Sequence, residues 1–178
     1  MWVKTGTKSV IYGGHQFLIH PFTVLLAYIE LYGFPNWKVL VCIFIHDLGY
    51  LGVNDMEGKQ GELHPMFGAK TAHKYLDRGH ELYYYNFCLY HSRTLAYIHN
   101  TTPSLLCWAD KLSIKYERWW TYLPRAVLSG EAKEYRQIAI NSKLIPNDMG
   151  YIEWFKWAQE RMVRKAYSQD VLPPFKGE

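Results

Sequence analysis

Apolar positions recur along this chain three and four residues apart, the spacing of helices, and no stretch sustains the strict alternation of a strand. Pro21–Leu31 (PFTVLLAYIEL) reads as a first helix, with Pro21 in its opening turn and Gly33 and Pro35 as stops. A second runs from about Asn36 into His46 and Asp47. A third begins at His64–Pro65 and stops at Gly79, and a fourth spans about His80 to His91. Thr102 and Pro103 read as the N-cap and first-turn proline of the longest apolar-periodic segment, Ser104–Trp120, which Pro124 kinks or ends. Ser129–Gly130 precede a helix near 131–141, and Pro146–Gly150 separate it from a final amphipathic helix, Tyr151–Tyr167. Residues 1–14 read as an irregular lead-in, 92–101 as a connection, and the tail from Val171 as loose. Residues 49–63 hold four glycines and read as a long loop, a feature that compact proteins keep for function. The pattern predicts an all-α protein folded as one domain over 1–178, without internal repeats or a dividing linker.

Composition adds limits. Hydrophobic residues at 49% and charged residues at 20% are those of a folded globular chain. The net charge of +4 is too small and too scattered to imply nucleic acid, and suits a small anionic substrate. Cys42, Cys88 and Cys107 have no CxxC spacing and lie in apolar surroundings, as buried thiols of a reducing compartment do. The N-terminus lacks an apolar core of signal-peptide length. No run approaches the roughly 18 apolar residues of a membrane span, so a cytoplasmic protein is expected.

The stretch that carries chemistry is Trp37–Gly52, WKVLVCIFIHDLGYLG. A strongly apolar helix delivers an imidazole and a carboxylate side by side, His46 and Asp47, and a charged Asp in that setting is costly without a partner. Further candidates fall near element boundaries or on apolar faces: His20, His64, His91 and Asp110, with His15 a rival to His20. Imidazole and carboxylate together suit Zn, Mn, Fe, Co or Ni, and no thiolate belongs to the set.

In order, these residues resemble the H…HD…H…H…D signature of the HD-domain metal-dependent phosphohydrolase superfamily. HPFTVLLAYIE resembles its first-ligand helix, IHDLGYLG its HD helix and turn, and LHPMFGAKTA its HPxxGA segment. YHSRTLAY resembles the segment around the later histidine, and LLCWADKLS the helix with the last aspartate. The resemblance covers roughly 15–115 and leaves 116–178 as a helical C-terminal extension. It implies a helical bundle holding one or two divalent transition metal ions. His20, His46, Asp47 and Asp110 would hold the first, and Asp47 would bridge to a second held by His64 and His91. It further implies hydrolysis of a nucleotide or other small phosphoester by metal-activated water.

Around these positions several readings stay open. Arg93 and Lys111 are candidates for charge stabilisation, and Lys70 and Arg93 for substrate binding; each is otherwise an ordinary solvated or paired charge. Glu62 either orients a ligand histidine or sits exposed in its loop. The 49–63 loop is a lid or an ordered crossing. Trp119, Trp120, Tyr122, Trp154, Phe155 and Trp157 read as core or homo-oligomer interface ahead of a base-stacking site. His73, His80 and His99 lie outside the pattern. Some proteins that resemble this chain in all six ligands hold two irons and oxidise organophosphonates or polyols, and a third alternative is a non-catalytic nucleotide-sensing module.

Overall fold

A computed structural model describes residues 4–56 and 58–169. Among them are ten α-helices and no strand, so the fold is all-α. The helices are α1 (Thr5–Tyr12), α2 (His20–Tyr32), α3 (Trp37–Ile45), α4 (Pro65–Tyr75), α5 (Tyr83–Leu89), α6 (Arg93–Ile98), α7 (Leu105–Ser113), α8 (Trp119–Ser129), α9 (Glu131–Asn141) and α10 (Tyr151–Ser168). Short 3-10 turns cover Leu48–Tyr50, Gly61–Leu63 and Ile114–Tyr116. No described helix is long and apolar enough to cross a membrane.

Where local signals were strong, the elements lie where the pattern places them. Asn36 caps α3, its Oδ1 accepting from the backbone N–H groups of Lys38 and Val39 at 3.0 Å each. Gly33, at φ 83°, lets the chain leave α2. Elsewhere the structure corrects the expectation. The lead-in contains a helix, α1, whose first N–H groups are satisfied from far away in sequence: Thr5 and Gly6 donate to the carbonyls of Asn54 and Val53 at 3.2 Å each. The 92–101 connection contains α6, capped by Ser92 Oγ accepting from Leu95 N at 3.2 Å. The fourth helix is shorter than expected, beginning at Tyr83 and ending at Leu89, so His91 lies beyond it. Ser104, not Thr102, stands at the N-cap of α7.

The long segment Ser104–Trp120 is two helices. α7 tightens into a 3-10 turn after Ser113, breaks at Glu117–Arg118, and α8 restarts at Trp119 with Pro124 inside it. Pro124 neither starts nor stops that helix; it lies solvent-exposed inside it. The tail from Val171 lies outside the described residues.

Among the described residues three apolar clusters form the interior, the smallest of them Val10, Tyr50 and Met56. The largest gathers Val24, Ile43, Ala69, Leu106 and Leu112 from α2, α3, α4 and α7, together with Phe87 and Cys88 of α5. The second joins α8, α9 and α10 through Leu123, Ala132, Trp154 and Phe155. Trp119 and Trp120 are exposed at the start of α8, whereas Trp154 and Phe155 are buried. The described residues of the 49–63 segment pack on α1 and α9: Met56 is buried, Met56 N donates to Glu134 Oε1 of α9 at 2.8 Å, and Gly52 N donates to Thr7 Oγ1 of α1 at 2.8 Å.

Candidate metal centre

The starts of α2 and α4, the ends of α3 and α5 and the middle of α7 converge on one cluster. His20 opens α2, His46 and Asp47 follow α3, His64 precedes Pro65 of α4, His91 follows α5, and Asp110 lies within α7. Two close approaches of backbone make this convergence possible. A Cβ on Gly68 of α4 would sit 3.0 Å from His46 Cα, and one on Gly49 would sit 1.9 Å from the His64 carbonyl oxygen. Glycine at both positions lets the segments carrying His46, Asp47 and His64 lie against each other.

The cluster divides into two nests that share one carboxylate. In the first, ligand atoms of His20, His46, Asp47 and Asp110 all lie within 4.8 Å of one another; in the second, those of Asp47, His64 and His91 do. Asp47 Oδ2 faces the first, 3.2 Å from His20 Nε2 and 3.3 Å from His46 Nε2. Its Oδ1 faces the second, 3.4 Å from both His64 Nε2 and His91 Nε2. Asp110 Oδ1 completes the first nest at 3.1 Å from His20 Nε2 and 3.9 Å from His46 Nε2.

Three of the histidines are held by the same local device. His46, His64 and His91 each direct Nδ1 at the carbonyl three residues earlier, of Ile43 (2.7 Å), Gly61 (2.6 Å) and Cys88 (2.5 Å). A carbonyl can only accept, so each Nδ1 carries a proton and each Nε2 is directed into the cluster. The ring of Tyr50 stacks on His64 at 3.8 Å and 15° and fixes its plane. Glu62 lines the cavity but does not orient His64, whose Nδ1 partner is the Gly61 carbonyl.

Electrostatics fit a cation. Burial alone would push the Asp47 and Asp110 carboxyls up, yet the surrounding imidazoles hold both well below the usual carboxylate range. Burial likewise works to lower His46, and the Asp47 and Asp110 carboxylates overcome it and raise it to about 10; His20 is also raised. His91 goes the other way, lowered to about 4 by burial and by its neighbours His46 and His64, against the pull of Asp47. Two carboxylates in one nest, Asp47 buried and Asp110 partly buried, demand positive charge, which protons on His20 and His46 or a divalent ion can supply. His20 Nε2, His46 Nε2 and Asp47 Oδ2 are buried without a hydrogen-bond partner, the condition that a coordinated ion relieves. The donor set is nitrogen and oxygen only, suited to a divalent transition metal. This buried His/Asp cluster can hold metal.

The rival for the first position, His15, lies beside the cluster with its ring 5.1 Å from that of His20. It is tied elsewhere, to a knot that sequence reading missed. Glu131, fully buried at the start of α9, accepts from Ser9 Oγ, from Gly14 N and, at 3.3 Å, from His15 Nδ1. Burial would lower His15; Glu131, with Asp47 and Asp110 behind it, raises it to about 9.

The ligands open into a cavity of about 490 Å³, within the range of small-molecule sites. Arg93 and Lys111 line it together with the His/Asp cluster, and the Arg93 guanidinium lies 6.0 Å from the Trp108 ring. Lys70 is exposed and outside the lining. It is two residues from Gly68, the position of closest approach to His46, and so projects from the other side of α4. Tyr122, Trp154 and Trp157 are cavity walls as well as core. Comparison of the chain with protein-family models, with curated proteins and with solved structures returns no match. The helical frame and the six-residue His/Asp cluster are compatible with an HD-type metal site.

Proposed function

We propose that this protein is a metal-dependent phosphohydrolase of HD type, acting on a nucleotide or another small phosphoester. The observation that supports the reading most is Asp47, whose two carboxylate oxygens face two separate sets of histidine Nε2 atoms. His20, His46 and Asp110 would share one ion with Asp47, and His64 and His91 the other. Bound there, divalent transition ions (Mn, Fe, Co, Ni or Zn) would supply the Lewis acidity that polarises a phosphoryl group and activates a water near neutral pH.

The remaining work falls to side chains of the cavity. Arg93 and Lys111 stand next to the ligands and neutralise the phosphoryl oxygens as charge develops on them, Arg93 with the planar fork that suits two oxygens at once. The Nδ1 anchors of His46, His64 and His91 keep the three rings from turning when substrate enters. The substrate is small because the cavity is of that size.

The test is release of phosphate, pyrophosphate or triphosphate from a panel of nucleotides, nucleoside monophosphates and generic phosphoesters, with protein loaded in turn with each metal. Turnover that disappears with chelation supports the reading. Absence of turnover with every metal and substrate overturns it. The same imidazole and carboxylate ligands accept iron, so protein purified without oxygen is also analysed for metal. Two irons per chain with oxygen uptake on an organophosphonate or polyol would replace hydrolysis by oxidation.

A further inference from the structure

The cavity continues beyond the metal cluster along a wall that the phosphohydrolase reading does not use. Trp157, Arg161 and Lys165 of α10 all line it, at steps of four residues and so on one helix face about 12 Å long. Lys111 lines it from α7, one residue after Asp110. The Arg161 guanidinium lies 5.5 Å from the Trp157 ring, which places a cation and an aromatic surface together.

This wall is held in register with the metal ligands. Gln159 Nε2 of α10 donates to the carbonyls of Ile114 (2.7 Å) and Glu117 (3.1 Å), in the turn that follows α7. Lys115 Nζ of that turn donates to Tyr167 Oη at 3.0 Å and to Glu30 Oε1 of α2 at 2.6 Å. α10 is therefore pinned to the helix that carries Asp110 and to the helix that begins at His20. Of the other acidic residues in the lining, Glu117 is occupied by Arg125, whose Nη2 lies 2.8 Å from both carboxylate oxygens. Glu62 belongs to the turn before His64, at the metal end. Apart from these and from Asp47 and Asp110 of the cluster, the charged residues of the lining are cations: Arg93, Lys111, Arg161 and Lys165.

We propose that Arg161 and Lys165 form a second anion subsite that selects phosphoesters carrying a further anionic group. That group, a phosphate or a carboxylate, sits at the end of a flat or apolar segment that lies along Trp157. The inference rests on the phosphohydrolase reading for the position of the first phosphoryl group and adds what the rest of the substrate is. A simple monoester fills only the metal end. A bis-anionic molecule spans the cavity.

The experiment is calorimetric titration of the metal-loaded protein with phenylphosphonate, and with arylphosphonates bearing a carboxylate or a second phosphonate one or two rings away. At least one bis-anionic compound is expected to bind about tenfold tighter than phenylphosphonate, an advantage that shrinks as salt is added. The double variant R161Q/K165Q is expected to lose that advantage and to keep the affinity for phenylphosphonate. Both side chains are partly exposed, so the variant is expected to fold; far-UV circular dichroism and the urea midpoint check this. The carboxylate and phosphonate arms decide which group the subsite prefers. A panel in which no bis-anionic compound gains more than about threefold, or a variant that weakens phenylphosphonate equally, overturns the proposal. Binding separates this outcome from catalysis: an advantage that depends on Arg161 and Lys165, in a protein that turns over no phosphoester, keeps the subsite and discards the hydrolase.

Discussion

Gly49→Ala is the most informative single perturbation, because it strikes the place where the two nests are pressed together. A Cβ at residue 49 would lie 1.9 Å from the His64 carbonyl oxygen, 2.8 Å from its carbon and 3.0 Å from its Cα. Ordinary carbon–oxygen contact needs about 1.5 Å more. The obstructing atoms are backbone, so no rotamer change relieves the clash, and His64 must move away from the Leu48–Tyr50 turn. Overpacking costs about 1–3 kcal/mol where side chains can adjust, so about 3 kcal/mol is expected here. The displacement also has a direction. It lengthens the 3.4 Å approach of His64 Nε2 to Asp47 Oδ1, while His20, His46 and Asp110 lie on the other side of Asp47.

The variant should therefore bind one metal nearly as well as the wild type and the other at least about tenfold more weakly, a loss of about 1.4 kcal/mol in that nest. Urea denaturation of the metal-free protein measures the first effect, and calorimetric titration with Mn or Zn measures the second. Gly52→Ala is the control: Gly52 has φ 88° and no atom within 4 Å of the point a Cβ would occupy, so only backbone strain of about 1–2 kcal/mol is expected and both metals should bind normally. A Gly49→Ala protein within about 0.5 kcal/mol of wild type, with both affinities unchanged, would refute the packing argument.

Two further outcomes follow from the cluster and its neighbour. Asp47→Ala removes the one carboxylate common to both nests, so metal content by mass spectrometry should fall at both; a variant that retains two ions would show that Asp47 does not bridge. For the His15–Glu131 pair the sign is set by His15, raised from 6.5 to about 9 in the metal-free fold. Its contribution is fully present below pH 6.5 and is lost as pH rises through about 9. The side chain keeps 19% of its exposure, so the effect is at most about 3 kcal/mol. Glu131→Gln should flatten that alkaline decline in urea midpoints while lowering stability at pH 6; an unchanged profile would remove Glu131 as its cause.

Much of the site was legible in the chain because its determinants are local. An apolar helix that ends in His46 and Asp47 announces a buried imidazole and carboxylate, and the carbonyl three residues back orients the ring wherever a histidine follows a turn in this way. The order of His20, His64, His91 and Asp110 supplied the remaining residues of the cluster. Periodicity placed α2, α3, α9 and α10 closely because caps, prolines and glycines act within a turn or two. It failed for α1, whose first N–H groups are satisfied by carbonyls of residues 53 and 54, and for the break after α7.

What tertiary structure decided are pairings between residues far apart in the chain. His15 stands as a rival to the preferred His20 until Glu131, 116 residues from His15, claims it. Lys70, Arg93 and Lys111 are all cations near ligands in sequence, but only the latter two line the cavity, since helix rotation carries Lys70 to the other side of α4. Trp157, Arg161 and Lys165 form a recognisable stripe in the sequence, but a stripe does not name what it faces. Only the packing of α10 against α7 places it in the same cavity as His20, Asp47 and Asp110. A sequence specifies local conformation and donor chemistry, because those depend on neighbours along the chain; which groups share a buried space is determined by packing.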